Sequence, residues 1–333
     1  MTGSNKMNIV VTGGSGFIGT HLLELLRLGG HQITNIDICE PKTGDANDVE
    51  WRDCSILNKE QLVRLFQEMQ PSHVVHLAAY ASMDARSLGE FSANIDGTAN
   101  LLDAIKSVSS VERVIITSTQ HVRRPGSGIP DSDTDFVPYM FYGESKVISE
   151  RLTREAGLKC VWTIIRPTAV WGPGHLPLAE GLWRLMIKGR YFHPANDPVV
   201  RSYGYVKNVV WQIARLLEAD ELRVDRKVFY VADGTARQKD WVNAMSRELI
   251  GRDVRILPLW MIRQLANVGD GARALGIRFP IYGSRLENLI TNNPVPIEST
   301  LELLGDPPYS LERGAFETSE WLKKFHQFRG RGR

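Results

Sequence analysis

The sequence predicts an α/β fold in which a doubly wound parallel sheet carries a smaller, mixed C-terminal lobe. Short apolar runs of strand length alternate with amphipathic helical patterns over about the first 170 residues. That alternation favours parallel strands joined by right-handed helical crossovers. The chain has 333 residues, 43% of them hydrophobic and 23% charged, which suits one large domain or one domain with an appended lobe.

Composition excludes several classes of function. Lysine and arginine number 40 against 38 aspartates and glutamates, and this net charge of +2 indicates no nucleic-acid partner. The three cysteines show neither a disulfide framework nor a zinc spacing, so we expect no metal site and a cytoplasmic location. Residues 1–6 lack the pattern of a signal peptide, and we expect residues 1–6 and 327–333 to be flexible termini.

The predicted elements follow a regular order up to about residue 170. Strands are expected at 7–11, 33–36, 49–52, 73–77, 113–117 and 161–165, with a further one at 227–231. Helical patterns fill the intervals, among them one that Asn58 caps and Pro71 ends, and two at about 91–106 and 141–156. After Gly172-Pro173-Gly174 the rhythm breaks down, so we expect a sheet domain at 7–170, with returning segments at about 204–232, and a lobe formed by 171–203 and 233–326.

A glycine-rich turn, Gly13–Gly19, stands between the first predicted strand and the helical pattern that follows. This is the context of a dinucleotide-binding fingerprint. We expect no room for a side chain near Gly13, a close approach of the Gly16 backbone to a pyrophosphate, and tight helix–strand packing at Gly19. Free N–H groups and the helix dipole would face the phosphates. An ordinary strand-to-helix turn is the alternative.

An acidic residue supports the dinucleotide interpretation. Asp37 follows the second strand, eighteen positions after Gly19, close to where a Rossmann domain holds the adenosine ribose. A carboxylate there accepts from a ribose diol and repels a 2′-phosphate. The sequence therefore predicts NAD, rather than NADP, as the cofactor.

A second motif, Tyr142-Gly143-Glu144-Ser145-Lys146, lies on the predicted helix at 141–156. Its i, i+4 spacing places Tyr142 and Lys146 on one face, about one turn apart. We expect Lys146, together with the positive charge of an oxidised nicotinamide, to lower the pKa of the Tyr142 phenol toward neutrality. A surface tyrosine and lysine would be the alternative.

These motifs together resemble the extended short-chain dehydrogenase/reductases of the NAD-dependent nucleotide-sugar epimerase/dehydratase family. The resemblance covers nearly the whole chain. It also rests on Asp53, His76-Leu77-Ala78-Ala79, Asn94 with Gly97-Thr98, Thr117-Ser118-Thr119, Arg166-Pro167, Val170-Trp171-Gly172-Pro173-Gly174 and Tyr205-Val206-Lys207-Asn208-Val209.

The resemblance implies a role for each matching residue. Tyr142 would be the acid/base on the sugar hydroxyl, Lys146 would also bind the nicotinamide ribose, and Thr119 would hydrogen-bond the reacting oxygen. The implied cofactor contacts are Gly13, Gly16, Phe17, Ile18, Gly19, Asp37, Asp53, Ala78, Ala79, Tyr80, Asn94 and Ser118. The implied substrate contacts are Ser82, His121, Arg201 and Arg285. For Ser118 a supporting position behind the site, for His121 an ordinary loop position, and for both arginines a solvated position stay open.

The chain also departs from the family pattern. Gln120 and His121 stand where family dehydratases carry Asp-Glu, so we expect no dehydration. Arg123 lies in a segment that replaces the family's Val-Tyr-Gly, and Ala169 stands where many relatives have an asparagine that touches the diphosphate. The wall of the substrate pocket should therefore differ from that of typical members.

We accordingly predict an NAD-dependent nucleotide-sugar epimerase that acts at C4 through a 4-keto intermediate. The alternatives are a nucleotide-sugar 4-ketoreductase, a non-catalytic NAD-sensing protein, and a dehydrogenase of a sterol-like or other hydroxyl. The resemblance implies a homodimer formed through the helices at 91–106 and 141–156. The apolar residues expected to serve both the sheet and the partner are Leu101, Leu102, Ile105, Val147, Ile148 and Leu152.

The most apolar helical stretch, residues 257–268, contains Arg263 and Gln264 and is too short to span a bilayer. We expect no integral membrane segment. The stretch predicts either a helix packed on the protein or one that lies on a membrane surface.

Overall fold

The computed structural model describes residues 6–41, 49–195, 198–277, 279 and 281–330. Of the termini expected to be flexible, residues 1–5 and 331–333 lie outside the described residues. The last helix continues to Gly330, into the 327–333 segment that was expected to be a flexible terminus.

The strands and helices are numbered in chain order. The strands are β1 Asn8–Thr12, β2 Gln32–Asp37, β3 Val49–Asp53, β4 His73–His76, β5 Arg113–Thr117, β6 Val161–Pro167, β7 Ala169–Trp171, β8 Phe192–Ala195, β9 Val200–Tyr205, β10 Lys227–Val231, β11 Gly234–Arg237 and β12 Arg255–Pro258. The helices are α1 Phe17–Leu28, α2 Lys59–Met69, α3 Ser92–Lys106, α4 Phe141–Glu155, α5 Leu176–Leu178, α6 Arg184–Ile187, α7 Val206–Glu218, α8 Glu221–Val224, α9 Gln238–Ile250, α10 Leu259–Ala274, α11 Gly283–Ile290, α12 Glu298–Leu304 and α13 Leu311–Gly330.

A seven-stranded parallel sheet forms the centre of the molecule, in the order β10-β6-β5-β4-β1-β2-β3. The predicted fold class, a doubly wound parallel sheet with a smaller mixed lobe, is confirmed. The strand order reverses between β1 and β4. In open parallel sheets, ligands bind beyond the carboxyl ends of the strands at such a switch point.

Both faces of the sheet are covered, which explains the nearly continuous apolar character of its strands. Ile9 and Val11 of β1 pack toward the side of α1 and α7, where they join Leu22 in one buried cluster. Val10 packs toward α2 and α3, in a second cluster with Phe66. Burial of a side chain of this size contributes about 1.5–3 kcal/mol.

The second part of the chain departs from the regular βα order. β7, β9 and β11 form a separate three-stranded mixed sheet, and β8 pairs with β12. Within the returning segment, β10 is the strand that rejoins the main sheet, while the end of β9 belongs to the small one. Between α5 and α6, residues Ala179–Trp183 form a π-helical turn. A third cluster, rich in tryptophan and centred on Trp171 and Trp183, holds this lobe together.

The apolar stretch at 257–268 begins in β12 and continues as the longer helix α10. In the part of the chain that the structure describes, no helix combines the length and the apolarity needed to cross a bilayer.

Candidate active site at the carboxyl ends of the parallel strands

The glycine turn after β1 is closed too tightly for side chains. Gly13 has a φ of +74°, and a Cβ there would lie 2.4 Å from the backbone nitrogen of Ala78. A Cβ on Gly19 would lie 2.4 Å from the carbonyl oxygen of Gly13. Gly13 itself donates its N–H to the Ile36 carbonyl at 3.0 Å, which fixes the turn against β2. Any larger residue at these two positions would force the turn open.

The N-terminus of α1 is prepared for an anion. Gly16 is the N-cap residue and supplies no side-chain cap, and the first turn contains no acidic residue. Phe17 and Ile18 are the first helical residues, so their N–H groups have no partner within the helix. This cradle fits a pyrophosphate, as the sequence predicted.

Asp37 stands at the end of β2 beside this turn. Its carboxylate accepts from the Ser15 N–H at 3.0 Å and from the Cys39 N–H at 2.9 Å. Asp53 is exposed and is the register neighbour of Asp37 on β3. Both carboxylates thus end adjacent strands at one edge, which suits contacts to the adenosine part of a dinucleotide.

The loop after β4 is held by a buried amide. Asn94 accepts from the Tyr80 N–H at 2.7 Å and donates to the Tyr80 carbonyl at 3.0 Å and to the Ser145 hydroxyl at 2.9 Å. The side chain is fully buried. Asn94 therefore positions the loop of Ala78, Ala79 and Tyr80 against α4, and its amide is taken up by protein groups rather than aimed at a ligand.

Ser118 lies behind the site. Of the two positions that the sequence left open for it, a cofactor contact or a supporting position, the structure shows the second. Its hydroxyl donates to Glu150 at 2.6 Å, and both residues are buried. Glu150 also accepts twice from Arg166, at 2.8 Å to each carboxylate oxygen. This pair was not predicted from the sequence, because Glu150 and Arg166 lie on different elements and no local pattern joins them.

The three residues proposed for proton transfer converge at the ends of β5 and α4. The Thr119 hydroxyl, which accepts from the His121 N–H at 3.2 Å, lies close to the Tyr142 phenol. Burial raises the pKa of Tyr142, and the nearby Thr119 hydroxyl lowers it in part. Among the protein's own groups, desolvation of a phenol that is 9% exposed has the largest effect on this pKa. The lowering expected from Lys146 together with an oxidised nicotinamide stays a prediction.

Lys146 is itself almost fully buried. Its Nζ donates to the Thr117 carbonyl at 2.8 Å. Burial lowers the pKa of Lys146 to about 8, and the negative charge of Glu150 acts in the opposite direction. An ammonium has three N–H donors, so Lys146 can hold Thr117 and still bind a ribose hydroxyl.

The substrate side of the phenol brings together residues that are far apart in the sequence. The His121 ring lies 6.2 Å from the Tyr142 ring, and His121 Nδ1 lies 3.3 Å from the Tyr139 hydroxyl. Burial and the nearby positive charge of Arg201 lower the pKa of His121 to about 4. His121 is therefore a neutral wall of the site at physiological pH.

Arg201 is braced by α11. It donates to the Asn288 side chain at 2.7 Å and to the Asn288 carbonyl at 3.1 Å. Arg285, the second candidate for a diphosphate contact, is exposed one turn earlier on the same helix. The structure thus joins Arg201 to the surroundings of Tyr142.

A cavity of about 410 Å³ opens beside Tyr142. It is lined by Ser82, Met83, Ala85, Pro138, Tyr139, Met140, Phe141, Tyr142 and Glu144. Ser82 was expected here, whereas Tyr139, Met83 and Phe141 belong to no motif and gave no signal. Arg123 is instead engaged in the adjoining loop, where it pairs with Asp135 and donates to the Ser127 carbonyl at 3.0 Å.

Metal ligands are not grouped in the ranges that the structure describes, where no three His, Cys, Asp or Glu residues could hold one ion. The buried His76, for example, has a hydrogen-bonding partner at each ring nitrogen. Its Nδ1 lies 2.6 Å from the Thr12 hydroxyl, and its Nε2 lies 3.3 Å from the Thr98 hydroxyl.

The chain matches the model of the NAD dependent epimerase/dehydratase family over residues 9–232. It is 26% identical over 253 residues to the decarboxylating sterol-4-alpha-carboxylate 3-dehydrogenase of Schizosaccharomyces pombe, a match that covers 68% of this chain and 70% of that protein. It is 27% identical over 214 residues to the N-acetyl-alpha-D-glucosaminyl-diphospho-ditrans,octacis-undecaprenol 4-epimerase of Escherichia coli O157:H7, which covers 61% of each.

Among solved structures, the UDP-glucose 4-epimerase of Thermotoga maritima, in complex with UDP-glucose, superimposes with a TM-score of 0.72. The two chains are 25% identical, and the superposition covers 96% of this chain and all of that one.

Proposed function

The chain belongs to the NAD-dependent epimerase/dehydratase family, with NAD as its cofactor, and we propose that it is a nucleotide-sugar epimerase acting at C4 through a 4-keto intermediate. The observation that carries this proposal is the convergence of Thr119, Tyr142 and Lys146 beside the glycine cradle, with a cavity of about 410 Å³ on the open side of the phenol. A non-catalytic NAD sensor would need the cradle but not the buried phenol and ammonium.

The residues of the cradle would hold the dinucleotide. Phe17 and Ile18 would donate their N–H groups to the pyrophosphate, and Asp37 would accept from the adenosine ribose. Lys146 would donate to the nicotinamide ribose. NAD supplies the hydride acceptor and donor of the reaction.

Tyr142 would accept the proton of the sugar hydroxyl at its phenolic oxygen and return it to the reduced sugar. Burial raises the pKa of this phenol, so the phenolate depends on neighbouring positive charge. Thr119 would donate to the reacting oxygen or to the phenolate, and thereby fix the distance over which the proton moves. General acid–base catalysis of this kind contributes about 10²–10⁴-fold in rate.

Epimerisation requires that the keto sugar present its opposite face before the hydride returns. Tyr139 and His121 form a neutral wall on this side, so no fixed charge of theirs would hold the sugar in one orientation. Arg201 would bind the diphosphate as an anchor around which the sugar turns, since a guanidinium suits a bidentate phosphate contact. The Thermotoga maritima neighbour, solved with UDP-glucose, supports a nucleotide diphosphate as the carrier.

The test is product analysis with the full chain, NAD and the C4 epimer pairs of UDP-linked hexoses and N-acetylhexosamines. We expect interconversion of one pair without accumulation of NADH, with deuterium placed at C4 retained in the product. Stoichiometric NADH or a released ketone would contradict epimerisation and identify a dehydrogenase. Tyr142→Phe, which keeps the ring and the fold, is the matched inactive control.

A second candidate is oxidation or epimerisation at a hydroxyl of a lipid-like or lipid-linked substrate. The apolar cavity wall of Met83, Met140 and Phe141 favours it, because a free nucleotide sugar offers little apolar surface to such a wall. The Schizosaccharomyces pombe relative acts on a sterol, and the Escherichia coli relative acts on an undecaprenol-linked sugar diphosphate. Net formation of NADH with a 3-hydroxysterol, or epimerisation of a polyprenyl-linked sugar alone, would favour this candidate.

We propose in addition that the protein is a homodimer formed through the outer faces of α3 and α4. Of the six apolar residues expected to serve both the sheet and a partner, Leu101, Leu102, Ile105 and Val147 are buried within the chain, and Ile148 and Leu152 remain half-buried. The available apolar face is thus smaller than the sequence suggested. A monomeric mass by light scattering at micromolar concentration would contradict the dimer.

A further inference from the structure

Helix α10 exposes an unusual amount of apolar surface. Among the described residues, seven of the nineteen exposed large hydrophobic side chains lie in the short span between residues 256 and 277. They are Ile256, Trp260, Met261, Leu265, Val268, Leu275 and Ile277. Single exposed apolar residues are normal on protein surfaces, whereas a contiguous group marks an interaction site.

The helical period separates α10 into three faces. Ile262, Ala266 and Gly269 are buried, and the first two pack against Leu286 of α11. At 100° per residue, the exposed side chains of Met261, Leu265 and Val268 fall together on a second, neighbouring face. Their exposed fractions are 38%, 43% and 60%. A third face carries polar residues. The second face is thus an exposed apolar stripe, which no other part of the chain covers among the described residues.

The segment of the chain that contains the stripe is basic. Residues 255–285 contain five arginines and one aspartate, a net charge of +4, whereas the whole chain carries +2. The aspartate, Asp270, accepts from the Gly283 N–H, and Arg273 stacks over the Tyr282 ring at 4.0 Å. Because a helix is only about 10 Å across, charges on its other faces lie within about one Debye length of a surface on which it rests.

We propose that the apolar stripe of α10 docks on an anionic lipid bilayer, with Trp260 at the level of the headgroups. Apolar residues on one face, tryptophan at the edge and arginine nearby are the features of a helix that lies in a membrane interface. A second copy of this chain is a poorer occupant, because a twofold contact would bring together two segments that each carry a net charge of +4.

This surface is connected to the candidate active site through α11. α10 packs on α11 around Ile262 and Leu286, and Asn288 of α11 holds the guanidinium of Arg201. Docking on a bilayer would therefore set the position of the helix that braces the substrate side of the site. The proposal does not depend on the reaction that the site performs.

Co-sedimentation of the full chain with vesicles tests the proposal. We expect binding to vesicles of phosphatidylcholine and phosphatidylglycerol in equal parts, and about tenfold weaker binding to phosphatidylcholine alone, because the basic segment adds attraction to anionic lipids. Leu265→Gln/Val268→Gln should weaken binding by at least about tenfold. The matched control, Leu28→Gln/Leu222→Gln, removes two exposed leucines elsewhere (70% and 86% exposed) and should bind like the wild type.

Quenching of tryptophan fluorescence by brominated lipid gives an independent readout. We expect quenching in the wild type, and Trp260→Phe should abolish this quenching without changing the thermal stability of the protein. Equal loss of binding in both double variants, or no binding by the wild type, would overturn the proposal. So would light scattering that shows Leu265→Gln/Val268→Gln dissociating an oligomer, since the stripe would then cover a second copy. Equal binding to the two kinds of vesicle would contradict the anionic surface.

Discussion

Two successive turns of α4 bury charge in opposite ways. At one turn Lys146 is 2% exposed, donates to the Thr117 carbonyl, and has a pKa lowered to about 8. One turn later, the fully buried Glu150 forms a two-bond ion pair with Arg166. Hydrogen bonds and the charge of Glu150 raise the pKa of Arg166 against the effect of its own burial.

The difference separates a charge that serves the fold from one that serves a ligand. Arg166 also donates to the Tyr230 hydroxyl at 3.1 Å and to the Asp133 carbonyl at 2.6 Å, so its donors are taken up by the protein. Lys146 is desolvated without a carboxylate bonded to it, which is unfavourable in the free protein and favourable once a ribose and a phenolate are present. The Glu150–Arg166 pair serves the fold, and we expect the desolvated Lys146 to serve a reaction.

The largest expected effect comes from breaking the structural pair. Glu150→Gln keeps the volume but leaves the Arg166 guanidinium buried without its counter-charge, which typically costs about 3–5 kcal/mol of unfolding free energy. It should also lower the pKa of Lys146 further, because Glu150 holds that pKa up. Chemical denaturation measures the first effect.

The matched control is Asp240→Asn, which breaks the surface pair with Arg237, whose side chains are 58% and 47% exposed. It should leave the unfolding free energy nearly unchanged. Equal losses of unfolding free energy in Glu150→Gln and Asp240→Asn would contradict the view that the buried pair stabilises the fold more than a surface pair does.

The pH dependence of stability is the next expected effect. Burial lowers the pKa of His73 and His121 to about 4 and that of His76 to about 3. A folded-state pKa below the unfolded value of about 6.5 gives stability that is full above that value and is lost as the pH falls toward 4. Asp233, with a pKa raised to about 6, acts in the opposite direction.

Three histidines outweigh one carboxyl, so the unfolding free energy should fall by at least about 2 kcal/mol between pH 6.5 and 4. At the alkaline end, stability should rise between about pH 8 and 9, because folded Lys146 loses its proton there and no longer holds a desolvated cation. Above that range Cys160, with a pKa raised to about 11, and Tyr203, with a pKa raised to about 12, act in the opposite direction. Thermal melting across these ranges measures both. A flat acid limb would contradict the assignment of the histidines as buried neutral groups.

The sequence predicted the charge that serves the ligand better than the charge that serves the fold. The order of the main strands, the glycine turn and the Tyr142–Lys146 spacing are local patterns, and each lies where it was expected. Arg201, His121 and Asn288 come together over long sequence distances, and no local pattern encodes such a meeting. The same holds for the mixed sheet and the π-helical turn, which tertiary packing around Trp171 and Trp183 imposes.

The preference for NAD over NADP should be a smaller effect than the loss of the buried ion pair or the pH dependence of stability. It concerns Asp37, a carboxylate that we expect to serve both the fold and the ligand. Asp37 accepts two backbone N–H groups and would also face the adenosine ribose. We expect NAD to bind at least about tenfold more tightly than NADP, or about 1.4 kcal/mol. Asp37→Asn keeps an acceptor but removes the charge, and should narrow this ratio in a titration. Equal affinities of the wild-type protein for the two cofactors would contradict the role of Asp37.

We propose that the turn of α4 holding Tyr142 and Lys146 transfers a proton beside a bound NAD. Measuring turnover and NAD affinity together in Tyr142→Phe and Lys146→Met tests this role most directly. Tyr142→Phe should lower turnover by at least about 10²–10⁴-fold and change NAD affinity only a few-fold. Lys146→Met should instead lower both turnover and NAD affinity, without destabilising the fold. Near-normal turnover in Tyr142→Phe would contradict the claim.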